Sequence, residues 1–422
     1  MQFATHLRLI FPNEQELQHF RHHCQVVGLP TFSARLEAIT TSFFSRDKLQ
    51  RMRMWMRGFN HDWPFAFQLN ALLLNGQLNT EELRQLRPHI EELHKTMPHQ
   101  AADILRYFRL ALSSDRTLNS NPEQCLARVA GERVSLFDHR NPRSVFFACQ
   151  HVTFTPTRMI LEGPTRVQSN SVIRKYWPHR DHFIRVNFLD ENLSQYRFDR
   201  EVDGPAFLHD HVGNVLKGGF EVAGRSFELL GYSNSSLDSH VFWFVSPFDY
   251  SPDSEMQPAV RMTADRIRGA LGDLSEIKIP AKYAARIGQA FTSTMCSMPI
   301  SRDQWEEIDE IWEDRENPRS HTDGVGRLSQ ALMDRIWDIV CNLYPDYGVY
   351  GVKPSAVQFR FLGKSFNTIV QKITHSSSPL GYKGVLAVDP QLSGERICFR
   401  PEMRKYFRQP EAGLLDPVCA MA

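Results

Sequence analysis

Two short stretches carry the side chains of a zinc site: His209-Asp210-His211 and His179-Arg180-Asp181-His182. Imidazoles beside a carboxylate suit a divalent metal, but neither stretch has a second cluster at familiar ligand spacing. Adjacent residues on a strand also point to opposite faces, so no metal ligand is assigned. A third stretch, Thr322-Asp323-Gly324-Val325-Gly326-Arg327-Leu328-Ser329, sets one carboxylate among small residues, as many metal or phosphate sites do. Asp-Gly is a common turn pair and Asp suits a helix start. Asp323 therefore reads as a turn leading into a helix that carries Leu328, Leu332, Ile336, Ile339, Val340 and Leu343. Gly363-Lys364-Ser365 has the end of a phosphate-binding loop, yet Gln358 stands where that loop needs its first glycine.

Charge is more informative locally than globally. The chain holds 49 Lys and Arg against 48 Asp and Glu, a net charge of +1, so it has no global signature of a nucleic-acid binder. Between 358 and 408, however, nine basic residues (360, 364, 372, 383, 396, 400, 404, 405, 408) face three acids (389, 395, 402), which leaves +6. Such a cluster could neutralise triphosphate or a nucleic-acid backbone, or be a solvated surface. The same two readings apply to Arg46–Arg57, where Arg46, Lys48, Arg51, Arg53 and Arg57 alternate with Leu49, Met52, Trp55 and Met56. It is either an RNA-contacting or partner helix, or a solvated face over a packed stripe.

The elements that position these groups follow from periodicity. A length of 422 residues predicts two or three domains, and 42% hydrophobic with 23% charged residues is the composition of a globular protein. From about 14 to 112 the spacing is helical: Leu83, Leu86, Ile90, Leu93 and Met97, then Ile104, Leu105, Phe108 and Leu112. Pro88 is expected to kink or split its helix. The polar run 113–122 marks a boundary. Beyond it, 151–163, 183–189, 226–232 and 240–246 are rich in β-branched and aromatic residues and read as strands. Helix returns around 255–300, and a second β-rich block follows from about 318. In it Val357, Phe359 and Phe361 alternate with Gln358 and Arg360. The fold class expected is α+β, with a helical region over 1–120, a mixed β-rich domain over 121–300 and a further β-rich region over 301–408.

Seven cysteines at 24, 125, 149, 296, 341, 398 and 419 show no Cys-x-x-Cys spacing, which favours reduced thiols over a disulfide framework or zinc ribbon. The amino-terminal stretch lacks a secretory signal, and no apolar run is long enough for a membrane span. An intracellular location, nucleus or cytoplasm, with no membrane partner, is the expectation.

Several motifs in order resemble one family. They are residues 152–164 (VTFTPTRMILEGP), 179–192 (HRDHFIRVNFLDEN), 222–237 (VAGRSFELLGYSNSSL), 281–294 (AKYAARIGQAFTST), 321–329 (HTDGVGRLS), 354–361 (PSAVQFRF), 381–390 (GYKGVLAVDP) and 399–406 (FRPEMRKY), with 65–78 (FAFQLNALLLNGQL) upstream. Together they are similar to the eukaryotic RNA-dependent RNA polymerases of gene silencing. The resemblance implies templated nucleotidyl transfer to RNA 3′ ends in siRNA pathways, with RNA template, nucleoside triphosphates and silencing-complex proteins as partners. It implies a core of two double-psi β-barrels. The first, here 301–408, supplies basic residues near triphosphate and RNA; the second supplies an Asp-x-Asp-Gly-Asp cluster for Mg2+. The phosphate-facing positions so implied are Arg360 and Lys383, then Arg400 and Lys405, then Lys282 and Arg286.

The chain departs from that pattern at the chemistry itself. No Asp-x-Asp occurs anywhere in it, so no catalytic residue and no metal ligand is assigned. The expectation is an amino-terminal and first-barrel fragment, inactive alone. The alternative is a non-catalytic RNA-binding or partner-binding protein. Residues 364–380 are a further departure, since the family passes from the Gln-x-Arg strand to Tyr-Lys-Gly with few residues between. An unremoved intron and a tolerated surface loop both explain it, and transcript sequencing separates them: codons kept in every mature read would sink the intron. Residues 409–422 match nothing recognisable.

Overall fold

A computed structural model describes residues 13–26, 46–114, 121–132, 146–198, 200, 202–233, 237, 239–251, 259–271, 274, 277–294, 298–313, 320–343, 348–349, 351–364, 381–404 and 412–417. The architecture is α+β, with helices first and two large sheets after them.

Among the described residues six helices come first: α1 (Glu14–Val26), α2 (Arg46–Arg57), α3 (Trp63–Leu74), α4 (Thr80–Thr96), α5 (Ala101–Ser114) and α6 (Pro122–Gly131). α3 is the hub. It is apolar on nearly every side and buries Trp63, Phe65, Phe67, Leu69 and Leu72, as a helix packed all round must. α4 starts in a capping box: Asn79 Oδ1 accepts from Glu81 N and Glu82 N at 2.9 Å, and Glu82 Oε2 accepts from Asn79 N at 2.8 Å. Its buried stripe is Leu83, Leu86, Ile90 and Leu93. Pro88 does not split it; the helix runs through as one 17-residue element. Pro88 lies on the exposed face, where water can take up the carbonyl its ring leaves without a donor. α6 lies beyond the boundary expected at 113–122, yet its Cys125, Leu126 and Val129 pack into the same core as α3, α4 and α5.

A six-stranded sheet covers this bundle in the order β2-β1-β3-β6-β5-β4. The strands are β1 (Phe146–Phe154), β2 (Met159–Gln168), β3 (Phe183–Phe188), β4 (Phe220–Val222), β5 (Arg225–Gly231) and β6 (Val241–Val245). β1 and β3 are parallel; the other pairs are antiparallel. Strand alternation divides the side chains between two cores. Val152, Ile184, Val186, Phe188, Phe242 and Phe244 face the helices. Phe147, Cys149, Phe183, Trp243 and Val245 belong to a second core that continues into the rest of the chain. Both faces are covered, which is why β6 reads Val-Phe-Trp-Phe-Val without a polar residue.

The ribbon β7 (Phe248–Tyr250) and β8 (Val260–Met262) leads to α7 (Ala264–Gly269) and α8 (Pro280–Gly288). After them come β9 (Met298–Ile300), β10 (Trp305–Glu307), β11 (Val325–Ser329), α9 (Gln330–Leu343), β12 (Ala356–Lys364), β13 (Gly381–Asp389), β14 (Ile397–Phe399) and β15 (Ala412–Pro417). Seven strands form a mixed sheet in the order β10-β14-β11-β13-β12-β15-β9. Its core is aromatic: Trp305, Phe359, Phe361, Tyr382 and Phe399 pack together, with the Tyr382 and Phe399 rings stacked at 4.3 Å. β15 falls in the segment that the motifs left unplaced, and it pairs with β12 and β9.

Candidate functional site

Asp323 stands in a turn, as its Asp-Gly sequence predicts: Val325 N donates to Thr322 O at 2.9 Å, and the side chain is exposed. The turn does not lead directly into a helix. Val325–Ser329 is a strand, and Leu328 pairs with Val388 of β13 and Ile397 of β14. The alternation of exposed Val325 and Arg327 with buried Gly326 and Leu328 carries the strand period. The four-residue step from Leu328 to Leu332 imitates a helical one and conceals it. Ser329 is the hinge between the two elements. Its Oγ accepts from Arg396 N at 3.0 Å and from Leu332 N at 3.4 Å, so it fixes β14 and starts α9.

β12 and β13 bring the two leading phosphate candidates together. In their antiparallel register Arg360 is directly opposite Lys383, while Phe361 is opposite Tyr382. Directly opposed residues share a face and have neighbouring Cβ atoms. Phe361 and Tyr382 hold the core, and the Arg360–Lys383 pair takes the other side of the ladder. On its second side Arg360 is opposite Asp416 of β15. Lys383 is half-buried. β13 also fits closely against the turn before β11: Val385 N donates to Gly324 O at 2.8 Å, and a Cβ on Gly384 would lie 2.2 Å from that same oxygen. Glycine at 384 is therefore what lets the two motifs touch.

The other candidates are dispersed. Arg400 turns inward: it is 3% exposed, its Nε donates to Val325 O at 2.9 Å and its Nη1 to Asp309 O. That guanidinium ties β11 to the segment after β10 and has no surface left for a phosphate. Lys282 is exposed and Arg286 half-buried on α8, an element separate from the β12–β13 ladder. Lys405, most of 364–380 and the ends of the 409–422 tail lie outside the described residues. The local +6 is also reduced by acids that are distant in sequence. Arg404 donates to Glu307 of β10 at 2.5 and 2.6 Å, and Tyr382 Oη donates to the same carboxylate at 2.7 Å. Burial, then Glu307, raises the Tyr382 phenol above its ordinary value; hydrogen bonding to Glu307 raises Arg404. This network was not legible as a site, because Glu307 lies far from the basic segment in sequence.

The two histidine stretches are helical turns, not strands. His209–His211 falls in the helical segment Leu208–Gly213, where His209 meets Asp210 at 2.9 Å and His211 stacks on Phe207. His179 stacks on Phe248 at 4.5 Å, and His182 Nδ1 lies 3.2 Å from Ser246 O. Burial pulls His182 down to about 4, with the nearby Arg225 charge adding to it. Among the described residues no group of three or more His, Cys, Asp or Glu is placed to hold a metal ion. The described residues do not fit a magnesium centre.

The model of the RNA dependent RNA polymerase family matches residues 154–416, more than half of the chain. The chain belongs to that family. RNA-dependent RNA polymerase 1 of Arabidopsis thaliana is 30% identical over 261 residues, covering 60% of this chain and 20% of the plant protein. RNA-dependent RNA polymerase 1 of Schizosaccharomyces pombe is 27% identical over 328 residues, covering 77% of this chain and 23% of the yeast one. With plant and fungal relatives, this is the eukaryotic branch of RNA-dependent RNA polymerases. The chain spans about a fifth to a quarter of the length of these two relatives. The solved RNA dependent RNA polymerase QDE-1 from Thielavia terrestris matches with a TM-score of 0.44 and 14% identity over 74% of this chain and 32% of its own, a likeness too loose to carry an argument. The polymerase family match runs through β15, which places 412–416 inside the family segment.

Proposed function

We propose that this chain is the helical and first-barrel portion of an RNA-silencing polymerase, and that its β12–β13 ladder handles the phosphates of RNA and incoming triphosphate. The observation that carries this reading is the register of Arg360 opposite Lys383 inside the family segment. Two cations at paired register positions suit a polyanion: arginine gives a forked contact and lysine a mobile point charge. The seven-stranded sheet, with parallel pairs β10–β14 and β11–β13 among antiparallel ones, is read as the first double-psi barrel. Arg400 is assigned a different part, holding that sheet's turn in place. Lys282 and Arg286 stand as outlying cations on the RNA path.

Templated nucleotidyl transfer to an RNA 3′ end is proposed as the reaction of the complete enzyme. Two metal ions on clustered carboxylates supply that step, and this chain has no Asp-x-Asp. It is therefore expected to bind RNA and not to extend it. Primer extension with purified chain, magnesium and a single-stranded template tests the second half, and incorporation would overturn it. RNA binding measured across ionic strengths tests the first half. Lys383→Ala should weaken binding uniformly across sequences and lower the salt slope by about 1. A slope equal to wild type removes Lys383 from the site. RNA binding with wild-type affinity by an Arg360→Gln/Lys383→Ala double variant would leave a partner-binding role as the better reading.

A further inference from the structure

Arg185 of β3, in the stretch 179–192, plays no part in the β12–β13 site, and no charge among the described residues balances it. Strand alternation puts Phe183, Arg185 and Asn187 on the face of the six-stranded sheet that turns towards the second core. That face is apolar where Phe147, Cys149, Phe183 and Val245 are sealed into the core. Further along the same strands it turns polar, and His151, Arg185 and Asn187 are all half-buried. Arg185 lies in register between His151 of β1 and Trp243 of β6, and neither neutralises it. Its Cζ is 5.8 Å from the Trp243 ring centroid, and a ring face has no lone pair to take an N–H. His151 turns Nε2 to Thr165 Oγ1 at 2.6 Å. Glu162, the carboxylate of this row, is opposite His151 on β2, two strands or about 10 Å from Arg185, and it accepts from Thr153 Oγ1 at 3.4 Å.

Arg185 Nε is therefore enclosed with no acceptor, and among the described residues the guanidinium has no carboxylate partner. Burial lowers it from its ordinary value, opposed only by Cys149, whose thiol is itself pushed up by burial to about 12 and stays uncharged. Two residues along the same face, Asn187 Oδ1 is enclosed without a donor. We infer, on the reading that this chain handles RNA, that Arg185 and Asn187 form a contact site for one phosphate group of the bound strand. A phosphate accepts two guanidinium hydrogens as a forked pair, and the Asn187 amide, turned half over, gives it an NH2. A partly buried cation without an internal partner destabilises the folded chain, and the anion relieves that on binding. Arg400 is the opposite case, since carbonyl oxygens already occupy its guanidinium.

An RNA phosphodiester and free inorganic phosphate share this chemistry. The test uses the full chain with two probes, a short single-stranded RNA across ionic strengths and inorganic phosphate alone, and follows each variant by urea unfolding. Arg185→Met should bind the RNA about tenfold more weakly, with a salt slope lower by about 1. Because it removes an unpaired charge, it should unfold at the same or a higher urea concentration than wild type. Asn187→Asp gives Arg185 a carboxylate of its own, so it should raise the unfolding midpoint and weaken RNA binding together. Weaker binding by a more stable protein cannot come from misfolding. A lower midpoint in both variants makes Arg185 and Asn187 structural and overturns the site. RNA affinity unchanged in both, while Lys383→Ala still loses affinity, overturns the site and leaves the β12–β13 reading standing. Inorganic phosphate binding that Asn187→Asp abolishes, in a chain that binds no RNA, identifies the free oxyanion as the ligand and removes the RNA reading. Binding of neither probe overturns both.

Discussion

Two arginines, one in each half of the molecule, are buried with no carboxylate partner among the described residues, and they do different amounts of structural work. Arg109 on α5 is 6% exposed; its Nη1 donates to Leu161 O and its Nη2 to Gly163 O, both at 3.1 Å, while Nε reaches Gln68 Oε1 at 3.3 Å. Gln68 on α3 donates to Gly163 O as well. One guanidinium thus joins two helices of the bundle to the β1–β2 hairpin of the sheet. Arg400 holds two carbonyls within the seven-stranded sheet and its flanking segment. Burial lowers the Arg109 guanidinium from its ordinary value, with the Glu162 charge opposing the change. Carbonyl oxygens satisfy donors without cancelling charge, so such arginines are fixed by geometry and have nothing to offer a ligand. A charge tally along the chain cannot tell them from a binding cation.

Removing each tie ranks the two regions. Arg109→Met keeps apolar bulk and leaves Gln68 Oε1 without its donor, while Leu161 O and Gly163 O each lose a charged donor but keep the Asn75 and Gln68 amides. With one buried acceptor unsatisfied at about 1–3 kcal/mol and two charged hydrogen bonds removed, the loss should be about 3 kcal/mol. Arg400→Met should lose about 1–2 kcal/mol, because the segment holding Asp309 is partly open to water, which can replace the lost donor. Urea unfolding of both variants measures this. An equal or larger loss for Arg400→Met would show that the seven-stranded sheet, and not the bundle junction, depends more on its internal cation.

How far the residues announced this arrangement differs between the same regions. The bundle was legible because Leu83, Leu86, Ile90 and Leu93 repeat at helical spacing and are all buried. The strands of the six-stranded sheet were legible from β-branched and aromatic runs. The family and the order of its motifs were legible too. What stayed hidden was long-range: Glu307 neutralising Arg404, Arg400 spent on backbone oxygens, and Asp416 brought opposite Arg360 by the pairing of β15. Local patterns report periodicity and turn chemistry. They do not report which charges the chain folds together.

The comparison is sharpened by backbone approach. Gly384→Ala places a Cβ 2.2 Å from Gly324 O and 3.0 Å from Met403 Cε. Met403 can move, but the Gly324 carbonyl is held by Val385 N, so β13 and the Asp323 turn must separate. Overpacking of this kind costs about 1–3 kcal/mol, and about 1–2 kcal/mol is expected here. Gly131→Ala at the end of α6 meets nothing within 4 Å and should be neutral or slightly stabilising. If the two alanine variants unfold at the same urea concentration, the close contact between the family motifs is not what holds this sheet.

The smallest expected effect concerns acid. In the six-stranded sheet His151 of β1 is opposite Glu162 of β2 and Arg185 of β3, and its Nε2 lies 2.6 Å from Thr165 Oγ1. Burial, and then the Arg185 charge, pull its imidazole from an ordinary 6.5 down to about 4. The folded chain therefore binds fewer protons than the unfolded chain between those two values, and stability is lost as pH falls from about 6.5 towards 4. At pH ~5.5 the loss from this one group is about 1 kcal/mol, since one pH unit below the unfolded value is worth about 1.4 kcal/mol. His182 shifts in the same direction and adds to it. The seven-stranded sheet contains no counterpart in its Tyr382–Arg404 network, where both groups are raised and keep their protons throughout this range. His151→Gln keeps a partner for Thr165 and removes the titration, so its stability should fall less between pH ~7 and ~5.5 than that of wild type, by about 1 kcal/mol. Parallel decreases in the two proteins would place the acid sensitivity outside β1.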